Sequence, residues 1–140
     1  MLAALPLLAL PVLLYNVLAL TLPGGFRASV AAERLSARLF SVPMASQADW
    51  PVSLGDLLLG GALVVLFVEL LKSTTSRQVA IVNHSLTMVL FIGCLVEFLL
   101  FPAFATSTFF LLSLMVLLDV LAGFIVTIVA SRREIDVRGG

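Results

Sequence analysis

Between Thr106 and Ala130 the chain carries a single ionisable side chain, Asp119, in the run LSLMVLLDVLAGFIVTIVA and the residues before it. Three further runs are almost as apolar: about residues 2–22, 54–71 and 79–101. Each matches the roughly 17–25 residues that a helix needs to cross a bilayer. Four such runs leave little else to build from. Hydrophobic residues make up 61% of the 140 and charged residues 11%, against about 45–50% apolar in soluble domains. The sequence therefore predicts an all-α integral membrane protein, one membrane domain over 1–140, with four transmembrane helices.

The connections set the packing. Ser73–Gln78 and PAFATS are short polar turns, so the second, third and fourth helices are expected as antiparallel neighbours in a bundle. The first run, MLAALPLLALPVLLYNVLALTLPGG, lacks a basic start and exceeds the usual apolar core of a secretory signal. It reads as a retained helix, kinked or loosened at Pro6 and Pro11. Gly60, Gly61 and Ala62 mark a packing point of the second helix within the bundle.

The one long polar stretch, Pro23–Ser53, contains FRASVAAERLSARLF. At a helical step, Arg27, Arg34 and Arg38 form a basic stripe beside an apolar face, which predicts a short interfacial amphipathic helix over about 26–40. The stripe suits lipid phosphates or an acidic partner; a solvated connecting helix is the plain alternative. Trp50 and Pro51 read as an interfacial aromatic and a helix-entry proline.

Polar residues inside the runs carry what functional signal there is. Glu69 sits three residues from Lys72 and reads as an interfacial ion pair. Glu97 shares a helical stripe with Asn83, Thr87, Leu90 and Cys94, and lies at the depth of Asn16, so an Asn16–Glu97 hydrogen bond is expected. Asp119 is the most central acid. Antiparallel pairing about PAFATS sets it level with Val89, within about 3 Å in depth of Thr87, with His84 about one and a half turns further on. An ionised Asp there costs about 2.5–3.5 kcal/mol on insertion scales, so a protonated Asp119 bonded to Thr87 is the inexpensive solution. Structural glue or partner docking is the leading role for Asp119, proton or cation relay the second, and ligand binding the third.

His84 is the only histidine. It reads as a hydrogen-bonded interfacial residue, with an axial haem or pigment ligand as the less favoured alternative. Zero net charge gives no field for nucleic acid, and the lone Cys94 supports neither a disulfide nor a cysteine metal site. No phosphate-binding loop, dinucleotide-binding glycine pattern, zinc-helix motif or nucleophile elbow is present. No enzyme, cofactor or metal is expected. Lys72, Arg77, Arg132, Arg133 and Arg138 against Arg27, Arg34 and Arg38 favour N-in, C-in by five to three.

In size and number of spans the chain resembles small multidrug transporters, whose essential acid lies in a first helix that here has none. Glu69 and Glu97 loosely match the successive glutamates of small proton-pumping subunits. The region NHSLTMVLFIGCLVEFLLFPAFATSTFFLLSLMVLLDVLAGF looks like that of a small bacterial membrane protein, which implies an inner membrane. The reading is a non-catalytic accessory or assembly subunit of a larger membrane complex, its partners the lipid bilayer and other subunits or copies of itself. The alternative is a small oligomeric proton- or cation-translocating protein using Asp119 and Glu97. A haem, pigment or lipid-binding protein using His84 ranks third.

Overall fold

The computed structural model describes residues 5–21, 27–73 and 77–138. In chain order these form α1 (Ala9–Thr21), α2 (Ala28–Ser36), β1 (Arg38–Pro43), β2 (Asp49–Ser53), α3 (Leu54–Ser73), α4 (Arg77–Leu100), a 3-10 turn (Pro102–Phe104) and α5 (Ser107–Arg138). Among the described residues three helices are long and apolar enough to cross a membrane: α3, α4 and α5. This is a mostly helical membrane protein.

The fourth expected span is described as a shorter helix. α1 has 13 residues, about 20 Å at the usual rise, against a hydrocarbon core of about 30 Å; residues 2–4 and 22 of the expected span lie outside the described residues. Neither proline kinks it. Pro6 precedes the helix, where its carbonyl accepts from Ala9 N at 3.1 Å. Pro11 falls in the first turn, where a missing N–H leaves no intrahelical bond unmade.

α5 is the central helix: 44% of its apolar window is buried, against 17% for α4. It packs along both α4 and α3, whereas α3 and α4 touch each other much less. Phe98 meets Phe110, Thr87 meets Asp119 and His84 meets Gly123, so α4 and α5 run in opposite directions. The stripe Asn83, Thr87, Cys94 of α4 and the face Leu112, Met115, Asp119 of α5 are buried. Ala62 is fully enclosed, but Gly60 and Gly61 point outward, with no described atom within 4 Å of where a Cβ would lie. The expected packing point therefore narrows to Ala62.

The polar stretch departs most from expectation. Its helix ends at Ser36 rather than near residue 40, and Arg38–Pro43 pairs antiparallel with Asp49–Ser53. Arg38 therefore leaves the helical stripe and donates to Ser41 Oγ at 3.0 Å. Every residue of the first strand except Leu39, which sits at a register shift, gains a cross-strand partner. Pro43 and Pro51 are tolerated because each strand of a two-stranded sheet is an edge. The loop closes through Gln47, which adopts a left-handed φ of 65° and donates to Met44 O at 2.9 Å. Pro51 is thus a strand residue, and α3 starts instead at a capping box. Ser53 Oγ donates to Asp56 Oδ2 at 2.6 Å and accepts from Asp56 N at 3.2 Å, while Ser53 N donates to the same carboxylate at 2.9 Å.

α2 lies over the starts of α3 and α5, burying Ala31 and Leu35. Gly55 makes that approach possible: a Cβ there would come within 3.1 Å of Leu35 O and 3.0 Å of Thr108 Oγ1.

Candidate functional site

Six polar residues are buried among the described ones: Glu69, Asn83, Thr87, Thr106, Ser113 and Asp119. Four of them form one cluster between α3, α4 and α5, and its logic begins at Pro6. Because the chain is not yet helical there, Leu5 C=O and Leu7 N–H lack helical partners. In lipid such groups must be satisfied within the protein. Leu7 N donates to Glu69 Oε2 at 2.7 Å, and Lys72 Nζ donates to Leu5 O at 2.8 Å. Glu69 and Lys72 thus close the open start of α1, and they also face each other at 3.6 Å.

The second oxygen of Glu69 accepts from Asn83 Nδ2, which ties α3 to α4. Sequence reading gave Glu69 only an interfacial pairing and placed Asn83 with Glu97. Instead Glu69 is wholly buried and takes Asn83 as its partner. The signal available was the proline upstream. A helix opened at Pro6 releases a donor and an acceptor, and the Glu69–Lys72 pair offers the complementary groups.

Deeper in, Thr87 Oγ1 lies 3.1 Å from Asp119 Oδ2 and 3.0 Å from Asn83 O. A hydroxyl has one proton for these two acceptors. Thr87 donates to both, sharing that proton between the Asp119 carboxyl and the Asn83 carbonyl. His84 belongs to this cluster: it lies level with Gly123, about one turn from Asp119 as the depth count places it, and its ring reaches back toward the carboxyl group. Its ring rests in the notch left by Gly123, where a Cβ would fall 2.1 Å from His84 Cγ. Nδ1 is 3.9 Å from Asp119 Oδ1. That oxygen, both ring nitrogens of His84, and Asn83 Oδ1 are buried without a hydrogen-bond partner. His84 is therefore an interior residue set against α5 rather than an interfacial one.

Asn16 and Glu97 form a separate contact. Asn16 Nδ2 donates to Glu97 Oε2 at 3.2 Å and to Val12 O at 3.1 Å, which uses both amide protons. A third polar contact, absent from the sequence reading, centres on Tyr15. Its hydroxyl donates to Ala103 O at 3.0 Å and accepts from Thr106 Oγ1 at 2.6 Å. Thr106 Oγ1 in turn accepts from Phe109 N at 3.2 Å, capping α5. The ring packs on Phe104 and Phe109. A lone tyrosine in an apolar helix was the cue, since a buried hydroxyl requires a partner.

Of the basic residues, Arg34 is exposed on α2, Arg27 immediately precedes that helix and Arg38 lies on β1. Among the described residues no three His, Cys, Asp or Glu side chains gather as a metal set would. Comparison with protein-family models, curated proteins and solved structures gave no match to this chain.

Proposed function

We propose that the chain is a non-catalytic accessory or assembly subunit of a larger membrane complex. In this reading α1, α3, α4 and α5 form a four-helix antiparallel bundle, set N-in and C-in in a bacterial inner membrane. The observation that carries the reading is the hairpin. Val42 pairs with Trp50, and Phe40 with Val52, so one face of the two-stranded sheet is apolar, and Phe40, Val42 and Trp50 on it are exposed. An isolated hairpin is marginal in water, and an exposed apolar patch on the polar end of a bundle marks an interaction surface. Outward-facing Gly60 and Gly61 add a place where a partner helix comes close.

The test is purification of the tagged chain from its native membrane in gentle detergent. Stable partners are expected with the native sequence. The double substitution Phe40→Ser, Val42→Ser should release them while the chain stays in the membrane. Recovery of a bare monomer or a clean homo-oligomer from native membranes overturns the subunit reading.

A second reading, proton or cation translocation, is favoured by one observation. From the partly exposed Lys72 at one end of α3, the buried residues Glu69, Asn83, Thr87 and Asp119 lead into the bundle, with His84 beside the inner end. Glu97 is joined to Asn16 instead, so Glu69 takes its place beside Asp119 in this pathway. Asp119→Asn separates the readings. An amide oxygen accepts from Thr87 as the carboxyl oxygen does, so stability should change by less than about 1 kcal/mol, the scale of one interhelical hydrogen bond in lipid. Loss of flux in reconstituted vesicles at that preserved stability would assign translocation; unchanged flux, or none in either protein, would remove it.

A further inference from the structure

We infer that the cavity between α1 and α2 holds one acyl chain of an anionic phospholipid, with the headgroup at Arg34. The cavity measures about 220 Å³ and is walled by Leu18 and Ala19 of α1, Ala31 and Leu35 of α2, and Leu54 at the start of α3. Its walls are apolar, and among the described residues Arg34 is the one charged side chain that lines it. The space exists because Ala19 and Ala31, both buried, face it with a single methyl each. An apolar cavity of about 150 Å³ already takes up benzene, and water enters only where several polar partners await it.

Three observations select the occupant. Leu18 and Ala19 belong to an apolar helix, so the opening between α1 and α2 lies where hydrocarbon chains are the abundant apolar ligand. The charges of α2 are segregated: Arg34 faces this cavity, whereas Glu33 lines a separate hydroxyl-rich groove with Asp56. Arg34 is exposed and has no side-chain partner among the described residues, while Arg38 is held by Ser41. An unpaired guanidinium over an apolar slot matches a phosphate above an alkyl chain, since arginine offers a planar set of donors suited to phosphate oxygens. An acidic peptide would meet Arg34 but would leave the slot beneath it unfilled.

The full chain, stripped of lipid in detergent, is exchanged with dioleoyl phosphatidylglycerol or dioleoyl phosphatidylcholine and weighed by native mass spectrometry. One retained phosphatidylglycerol per chain is expected, preferred over phosphatidylcholine by about fivefold, the factor that one arginine near an anionic headgroup supplies. Arg34→Gln, on an exposed side chain, should bring that ratio to about one. Arg38→Gln should leave it unchanged. Ala31→Leu should fill the slot and abolish retention of both lipids, and excess inorganic phosphate should displace neither. Equal retention of the two lipids by the native chain overturns the assignment. So does an Arg34→Gln protein with the native ratio, or displacement of the lipid by phosphate or by an acidic peptide. None of these outcomes depends on whether a protein partner is found at the hairpin.

Discussion

Glu69→Ala is expected to destabilise the protein by about 2–4 kcal/mol, the scale of a buried polar group stripped of its partner, and Glu69→Gln by clearly less. The reason is the number of donors that converge on the side chain. Leu7 N–H addresses one oxygen, and Asn83 Nδ2 addresses the other with Lys72 Nζ nearby. A glutamine keeps its oxygen for Leu7 N–H and turns its amide nitrogen to Asn83, whose unpartnered Oδ1 accepts it once that amide rotates. What it loses is the charge facing Lys72. Replacing both Glu69 and Asn83 by leucine should recover part of the loss, because removing two partners together leaves fewer orphaned groups than removing one. Denaturant titration in detergent micelles, followed by circular dichroism, measures all four proteins. A Glu69→Gln protein as unstable as Glu69→Ala would mean that the charge facing Lys72, rather than the hydrogen bonds, holds the cluster. The contrast with Asp119→Asn is the informative part: Glu69 serves donors from two other segments, whereas Asp119 has one hydroxyl partner.

Gly123→Leu should cost about 3 kcal/mol, the upper end of the usual range for overpacking a well-filled interior. A Cβ at this position would lie 2.1 Å from His84 Cγ and 2.4 Å from Cδ2 and Nδ1. The near atoms belong to the ring's root rather than its free end, so the side chain cannot yield by bending its tip. Either the imidazole leaves its place beside Asp119 or α4 and α5 separate. That second route opens the most extensive helix–helix contact in the fold. Gly123→Ala meets the same clash but gains about 1 kcal/mol in helix propensity, so its net loss is smaller. In Gly123→Ala, His84→Ala the ring is gone and the new methyl has room. The double variant should therefore be more stable than Gly123→Ala alone, with a coupling of about 1–3 kcal/mol. Additive losses would show that the notch and the ring are energetically independent.

Much of the fold is legible in the chain because hydrocarbon imposes one rule: a long apolar run must satisfy its backbone internally, and a helix does so. The extents of α3 and α4 follow from that rule and from two short turns. The inward faces of α4 and α5 follow from helical spacing of their polar and small residues. The Thr87 and Asp119 side chains meet because antiparallel pairing about PAFATS equates depth with sequence distance. The hairpin was harder to see. Phe40, Val42, Trp50 and Val52 do alternate with Ser41, Pro43, Pro51 and Ser53, but Ala31, Leu35 and Leu39 also keep a helical step into the same region. Two local patterns overlapped, and pairing across the Met44–Ala48 loop chose between them.

The sequence by itself determined that the chain enters a membrane, where α3 and α4 begin and end, and which helix faces turn inward, because these follow from length, hydropathy and period; α5 instead runs on to Arg138, past its expected end at Ala130. Tertiary structure alone decided the partners of Glu69 and His84. Glu69 became a buried keystone because Pro6 left α1 open opposite it, and His84 reached Asp119 because Gly123 has no side chain to keep the ring away. Both depend on an absence in one helix, a missing turn or a missing Cβ, that gains meaning only when another helix is placed beside it.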